Sequence, residues 1–499
     1  MNFFNSALTI GDLPEWLSIS LFILDLIVRI IAICWLPYNR KPVVALGWLM
    51  AIFLIPYVGF IVFLVFGSSN LPRQRRARQR VMNELMRDRI DKDDQDEAHP
   101  ILGSHVELSE EAKVAARLNY RLGALPMVGG NEFLLHTDSH EAMLHMAREI
   151  DKAEDYVHFE FYITAYSGAS IPLWDALFRA HDRGVNVKIL IDQIGSRKYP
   201  NFKTLRRMLK EKNMNWHLML PLNLFKREWQ RPDLRNHRKV LVIDGRIAYS
   251  GSQNAIDACY DLKKNEKKGL LWKDLTYSCT GPIVDELNAV FISDWYSETN
   301  ELVLSEINSD IQSVNDGQLA QIVPSGPGFE TENNLRLINY LINNAEERIV
   351  VCSPYFVPES TLLQALTSVA ISGIDVELIV CEKGDQFLPN MAQRSYYEEL
   401  LKCGVKIRQY PSPTVLHSKY MIIDDSYTFI GSSNMDPRSF ALNMEVSTYI
   451  VDKAMVRELD VISDDYISKC KTLNYDEWVN RSSRIKVVEN ICRLWSSLL

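Results

Sequence analysis

NHRKVLVIDGRIAYSGSQN, from Asn236 to Asn254, and LHSKYMIIDDSYTFIGSSN, from Leu416 to Asn434, align without a gap at an offset of 180 positions. His, Lys, Asp, Gly, Ser and Asn recur at matching places in the two stretches. One H-x-K-x4-D arises by chance in a chain of this size about a few per cent of the time, whereas two at one fixed offset do not. The chain is therefore read as an internal duplication.

The flanks of the two stretches repeat in kind. In the first half a helix near 140–153 leads to the strand YVHFEFYI, a helix near 171–182, the strand VNVKILID, a helix near 202–211 and then the motif. In the second, a helix near 332–345 leads to RIVVCSPYFV, a helix near 361–371, IDVELIVC, a helix near 391–401, VKIRQY and the motif again. Strands of β-branched residues alternating with helical periods predict an α/β fold, duplicated, with each half large enough for its own core.

The repeated residues suit phosphate chemistry. Imidazole serves as nucleophile, acid or base near neutral pH. Two residues on, a Lys projects from the same strand face, so an ammonium stands beside each imidazole where a phosphoryl oxygen would lie. His237, Lys239 and Asp244, with His417, Lys419 and Asp424, form the candidate catalytic set. The two Asp residues stand at strand ends before tight turns, placed to hold Lys or backbone. Ser252, Asn254, Ser432 and Asn434 are expected to donate to the remaining phosphate oxygens. A Lys beside each His repels cations, so no metal site is expected here, and no cofactor.

Composition sets the surroundings. The 499 residues are 47% hydrophobic and 24% charged, with a net charge of -8, which excludes disorder and argues against a nucleic-acid partner. Eight scattered cysteines suggest reduced thiols rather than a disulfide framework. Apolar residues concentrate at the N-terminus, where Trp16 to Pro37 and the uncharged Pro42 to Gly67 predict a two-span transmembrane hairpin over residues 1–70. Asp25 and Arg29, four apart, are expected to pair on one helical face. Seven Arg between Leu71 and Ile90 then place the remainder in the cytoplasm and face anionic headgroups, and Asp91 to Glu97 holds five acids and one Lys. The expected order is a basic then acidic linker over 71–130, a first half over 131–300, a joint over 301–325, a second half over 326–475 and an amphipathic C-terminal helix over 476–499. Two stretches combine apolar and basic residues either as bilayer-contacting segments or as core-packed helices with a solvated face: Pro221 to Arg235, with Leu222, Leu224, Phe225 and Trp229, and the C-terminus, with Ile485, Val488, Cys492, Trp495 and Leu499.

With its two H-x-K-x4-D motifs the chain resembles the phospholipase D superfamily. The N-terminal apolar region with trailing arginines, VHFEFYIT, PSGPG at Pro324 to Gly328, SPYFVP at Ser353 to Pro358 and IGSSNMDPRS are similar to the bacterial cardiolipin synthases within it. The resemblance implies phospholipase D-type α/β sandwich domains in a pseudo-twofold arrangement with one shared site. It implies His237 as nucleophile, His417 as general acid and base, and a carboxylate some thirty residues downstream of each motif, Asp274 and Glu445, orienting the histidines. It further implies phosphatidyl transfer between two molecules of phosphatidylglycerol, giving cardiolipin and glycerol, by a multi-pass protein of the cell membrane that meets anionic lipid. Hydrolysis to phosphatidic acid and a non-catalytic membrane scaffold are the alternatives. After Asn254 the first motif reads AIDACYD where the second reads MDPRS after Asn434, so the first-half phosphate pocket is the more doubtful match to the family.

Overall fold

The computed structural model describes residues 14–38, 40–67, 71–90, 101–102, 108–199, 201–222, 231–306, 317–329 and 331–494. The chain divides into two compact units, residues 1–70 with 230–232, and residues 71–229 with 233–499.

In the first unit, helix Glu15–Trp35 follows from an almost unbroken apolar run, and Trp16–Trp35 is long and apolar enough to cross a membrane. Asp25 and Arg29 pair on it at 2.9 Å. Over the region expected as the second span the chain forms two helices, Pro42–Leu54 and Pro56–Phe66, of 13 and 11 residues. Pro56 lacks an N–H and its ring crowds the preceding turn, so Ile55 leaves helical geometry at φ -137°, ψ 76°. At about 1.5 Å per residue neither piece spans a hydrocarbon core of roughly 30 Å. Leu36, Ile52 and Phe63 form the buried centre of the unit, and the Tyr57 hydroxyl donates to the Leu21 carbonyl at 2.9 Å.

The second unit holds two sheets of like order. In the first, Asn215–Met219, Asn186–Asp192 and Tyr156–Phe161 run parallel, followed by antiparallel Lys239–Ile243, Ile247–Gly251, Thr276–Thr280 and Met127–His136. In the second, Lys406–Tyr410, Asp375–Cys381 and Arg348–Cys352 are parallel, then Tyr420–Ile423, Tyr427–Gly431, Asn443–Val451 and Gln318–Ser325 are antiparallel. Continuous β-branched runs suit the central parallel strands, whose residues are buried almost throughout. Met127–His136 closes both sheets: its early residues pair with Gln318–Ser325 and its later ones with Thr276–Thr280. Gly130, at φ +78°, lies where it passes from one to the other.

The boundaries expected from sequence shift. The stretch read as a linker, 71–130, contains helices Arg73–Ile90 and Glu110–Gly123, with Leu71 and Met82 buried in the core. Arg75 pairs with Glu298, and Arg78 donates to the Ser297 carbonyl at 2.6 Å, so part of the basic run serves the fold rather than a headgroup. The acidic run Asp91 to Glu97 lies outside the described residues. The region read as a joint, 301–325, already includes the strand Gln318–Ser325 of the second sheet. Beyond 475 there are two helices, Tyr475–Val479 and Ser483–Leu494; Trp495 and Leu499, like Leu224, Phe225 and Trp229, lie outside the described residues.

Candidate active site

The two motifs meet because each half lends a short segment to the other. Arg235–Asn236, just before His237, pairs in parallel with Asn443 and Met444 of the second half. Thr414–Leu416, just before His417, pairs in parallel with Leu271–Lys273 of the first. These additions continue in the histidine backbones, His237 N–H to the Met444 carbonyl at 2.8 Å and His417 N–H to the Lys273 carbonyl at 2.7 Å.

The next residues along the lending strands are Glu445 and Asp274. His237 Nδ1 lies 2.9 Å from Glu445 Oε2, and His417 Nδ1 lies 2.6 Å from Asp274 Oδ1. The carboxylate thus comes from the opposite half in both cases, not from the half that carries the histidine. Despite burial, His417 and Lys419 hold Asp274 down at about 2, and His237 and Lys239 hold Glu445 below its ordinary range. Ionised carboxylates only accept, so each Nδ1 carries the proton and each neutral imidazole keeps its lone pair on Nε2.

The serines do something other than expected. Ser252 Oγ donates to Asp274 Oδ1 at 2.7 Å and accepts from Leu275 N–H at 2.9 Å. Ser432 Oγ donates to Glu445 Oε2 at 2.5 Å and accepts from Val446 N–H at 3.0 Å. Each has one hydrogen to give and the carboxylate takes it, so in this arrangement the serines brace the carboxylates. The glycine ahead of each makes this possible. A Cβ at Gly251 would stand 2.4 Å from the Leu275 carbonyl oxygen, and one at Gly431 2.5 Å from that of Val446.

Asp244 and Asp424 also depart from the catalytic set. Asp244 accepts from the N–H groups of Glu154, Asp155 and Tyr156, and Asp424 from those of Glu346, Glu347 and Arg348. Both sit at positive φ, +52° and +50°, and fasten the loop before the neighbouring strand, away from the imidazoles.

Lys239 and Lys419 are buried, and each Nζ donates to the carbonyl of its own motif histidine, at 2.6 and 2.7 Å. Burial lowers Lys239 to about 7 and Lys419 to about 8. Burial likewise lowers His237 to about 4 and lowers His417, and each imidazole also feels both lysines. The two motif sets therefore share one electrostatic site, short of positive charge until an anion enters.

The asparagines differ. Asn254 donates to the Tyr260 hydroxyl at 2.8 Å and accepts from Ile163 N–H at 3.2 Å, so both ends of its amide are engaged. Asn434 keeps a buried Oδ1 without a hydrogen-bond partner among the described residues, and two residues on Asp436 caps helix Pro437–Ala441 through Ser439 N–H. Sequence reasoning missed two residues. Tyr162 sets its ring edge against the His237 ring at 5.0 Å and lies 5.7 Å from Lys239 Nζ. Arg238, between motif His and Lys, is buried on the Glu445 carbonyl at 3.0 Å and on Asp294. Tyr162 ends the strand segment VHFEFY, and its aromatic ring there was the one available signal. Asp257, Cys259 and Asp261 bring three potential ligand atoms within 4.8 Å of one another, but Asp257 accepts from Cys259 N–H and Asp261 from the Ser167 hydroxyl.

The family model described as a cardiolipin synthase, PLD-like domain matches residues 146–295 and 338–465, one segment around each motif. The chain belongs to this cardiolipin synthase family of phospholipase D-like proteins. It is 31% identical to cardiolipin synthase A of Proteus mirabilis over 466 residues, covering 92% of this chain and 94% of that one. It is 32% identical to the cardiolipin synthase of Geobacillus kaustophilus over 467 residues, covering 92% and 90%. Among solved structures, the phosphatidylserine synthase of Haemophilus influenzae matches at a TM-score of 0.58 and 17% identity, over 77% of this chain and all of that one, a likeness of fold. The cardiolipin synthase family thus accounts for the paired motifs, and the duplicated α/β fold is that of its wider superfamily.

Proposed function

We propose that the chain is a phosphatidyltransferase that makes cardiolipin and glycerol from two molecules of phosphatidylglycerol. The observation that carries the reading is the crossed pair of imidazoles, each with Nδ1 held on the other half's carboxylate and each flanked by a buried lysine. Neutral His237 attacks the phosphorus of the first phosphatidylglycerol through Nε2 while His417, protonated, gives its Nε2 proton to the departing glycerol oxygen. The P–O bond to glycerol breaks as the P–N bond forms, leaving phosphatidyl-histidine. His417, now neutral, takes the proton from a primary hydroxyl of the second phosphatidylglycerol, whose oxygen displaces the histidine.

Lys239 and Lys419 neutralise the phosphoryl oxygens, and the amide N–H groups of Asn254 and Asn434 are the neutral donors beside them, that of Asn254 already giving one hydrogen to the Tyr260 hydroxyl. His237 is given the nucleophile's part by resemblance to the family. Every proton carrier in this scheme is a side chain, so activity is expected to persist in a chelator. The N-terminal helix Trp16–Trp35 and the arginines after it support a membrane protein with a cytoplasmic catalytic unit.

The test is to supply phosphatidylglycerol in mixed micelles with EDTA and follow glycerol, cardiolipin and phosphatidic acid by mass spectrometry. Cardiolipin and glycerol in equal amounts are expected. Phosphatidic acid without cardiolipin would instead make the protein a hydrolase.

A further inference from the structure

Helix Phe387–Arg394 packs along helix Ser483–Leu494. Their contact is fixed by Glu489, which accepts from Arg394 at 2.8 Å and from Arg481 at 2.7 Å, and by buried Cys492. The outward sides are apolar. Seven large hydrophobic side chains stand exposed on these two helices, among them Phe387 (63% exposed), Leu388, Val487, Ile491 and Leu494 (80%). Val487, Val488, Ile491 and Leu494 fall on one helical face opposite Glu489, with exposed Arg484 on that face too. Single exposed hydrophobics are ordinary, but a contiguous set marks a contact surface.

Charge says what covers it. In a chain of net charge -8, the segment from Arg481 to Leu494 holds four cations and one carboxylate; Arg481 pairs with Glu489, Lys486 with Glu398 at 3.2 Å and Arg493 with Glu399 at 3.8 Å, while Arg484 stands exposed on the apolar face. With Arg394 these make five cations against the three carboxylates Glu398, Glu399 and Glu489, a positive balance around an apolar face that fits an anionic bilayer.

Position links the face to the chemistry. The residue two before Phe387 is Asp385, which accepts from the Tyr355 hydroxyl and whose charge bears on Tyr199 and Tyr260 of the first half. Tyr260 in turn holds Asn254 of the first motif. Phe387 and Leu388 thus follow closely on a residue within electrostatic reach of the Tyr260–Asn254 pair.

We propose that Phe387, Leu388 and the outward face of Ser483–Leu494 dock the catalytic unit onto an anionic bilayer, setting the mouth of the site against the headgroups it draws from. The proposal rests on the reading of the substrate as a membrane phospholipid, and its test does not depend on turnover. Full-length protein carrying photoreactive benzoylphenylalanine at position 491 is reconstituted with vesicles of phosphatidylglycerol and phosphatidylcholine and irradiated. A phospholipid adduct at 491 is expected, several-fold above that obtained with the same group at position 461, an exposed site on helix Lys453–Lys469. A cross-link to a second copy, or no adduct, would overturn the proposal. In parallel, Val487→Glu with Leu494→Glu in the same reconstituted protein is expected to lower the lipid adduct at position 491 several-fold; an unchanged yield would also count against the proposal. A lipid adduct without any cardiolipin formed would leave the docking in place and remove the proposed reaction.

Discussion

Glu445 of the second half lies 2.9 Å from Nδ1 of His237 in the first, and its counterpart Asp274 reaches His417 the other way. Each imidazole therefore owes its tautomer to a carboxylate in the opposite repeat. Glu445→Gln keeps the shape and removes the charge that stabilises an imidazolium. We expect kcat to fall by about 10²–10⁴ with KM little altered, by analogy with other His–carboxylate pairs. Steady-state kinetics on micellar phosphatidylglycerol checks this, and a change confined to KM would place Glu445 on substrate instead.

Ser432 and Ser252 brace those carboxylates. Ser432→Ala leaves Glu445 with a weaker hold and should lower kcat roughly tenfold, in line with losses seen when an orienting hydrogen bond behind a catalytic group is removed. A phosphate donor would show itself chiefly in KM. The same split for Ser252→Ala would show whether the two serines act alike.

For Asp424 the expectation is structural. Its carboxylate takes N–H groups from Glu346, Glu347 and Arg348, and Asp424→Ala leaves them without that partner, at a cost of about 1–3 kcal/mol. The melting temperature should drop while kcat per folded molecule stays within a factor of about two. A catalytic Asp would give the opposite pattern.

The depressed pKa values of the site predict a proton uptake. Burial holds Lys239 at about 7 and lowers both imidazoles, and a bound anion favours their charged forms. Binding of orthovanadate at pH 8 should take up roughly one proton, measured by calorimetry in buffers of different ionisation enthalpy. His417→Asn should reduce that uptake. In the free enzyme, His237 keeps its lone pair until pH falls towards about 4, so the acid limb of kcat/KM should lie below the ordinary imidazole midpoint of 6.5.

Much of the fold was legible because the duplication is written into local pattern: the Lys239–Ile243 and Tyr420–Ile423 strands, and the parallel strands of each sheet, follow from apolar runs alone. The site was legible down to its histidines and lysines, whose two-residue spacing fixes a shared strand face. What was not legible depends on strands meeting from distant parts of the chain. Spacing along the sequence makes Asp274 look like the partner of His237, and only the pairing of Arg235–Asn236 with Asn443 and Met444 shows otherwise. The serines failed for a similar reason, since a hydroxyl's target depends on which strand passes over the glycine before it. The break at Pro56 was different: the signal stood in the sequence, inside an apolar run whose length masked it.

The strand Met127–His136 belongs to both sheets. Neither half has an edge of its own at that place, and peeling the strand from one sheet frays the other. The catalytic unit should therefore come apart in a single cooperative transition rather than repeat by repeat, although its sequence reads as two copies. Cutting the chain between the repeats would yield two pieces each short of a border strand or exposing one, a ready template for aggregation.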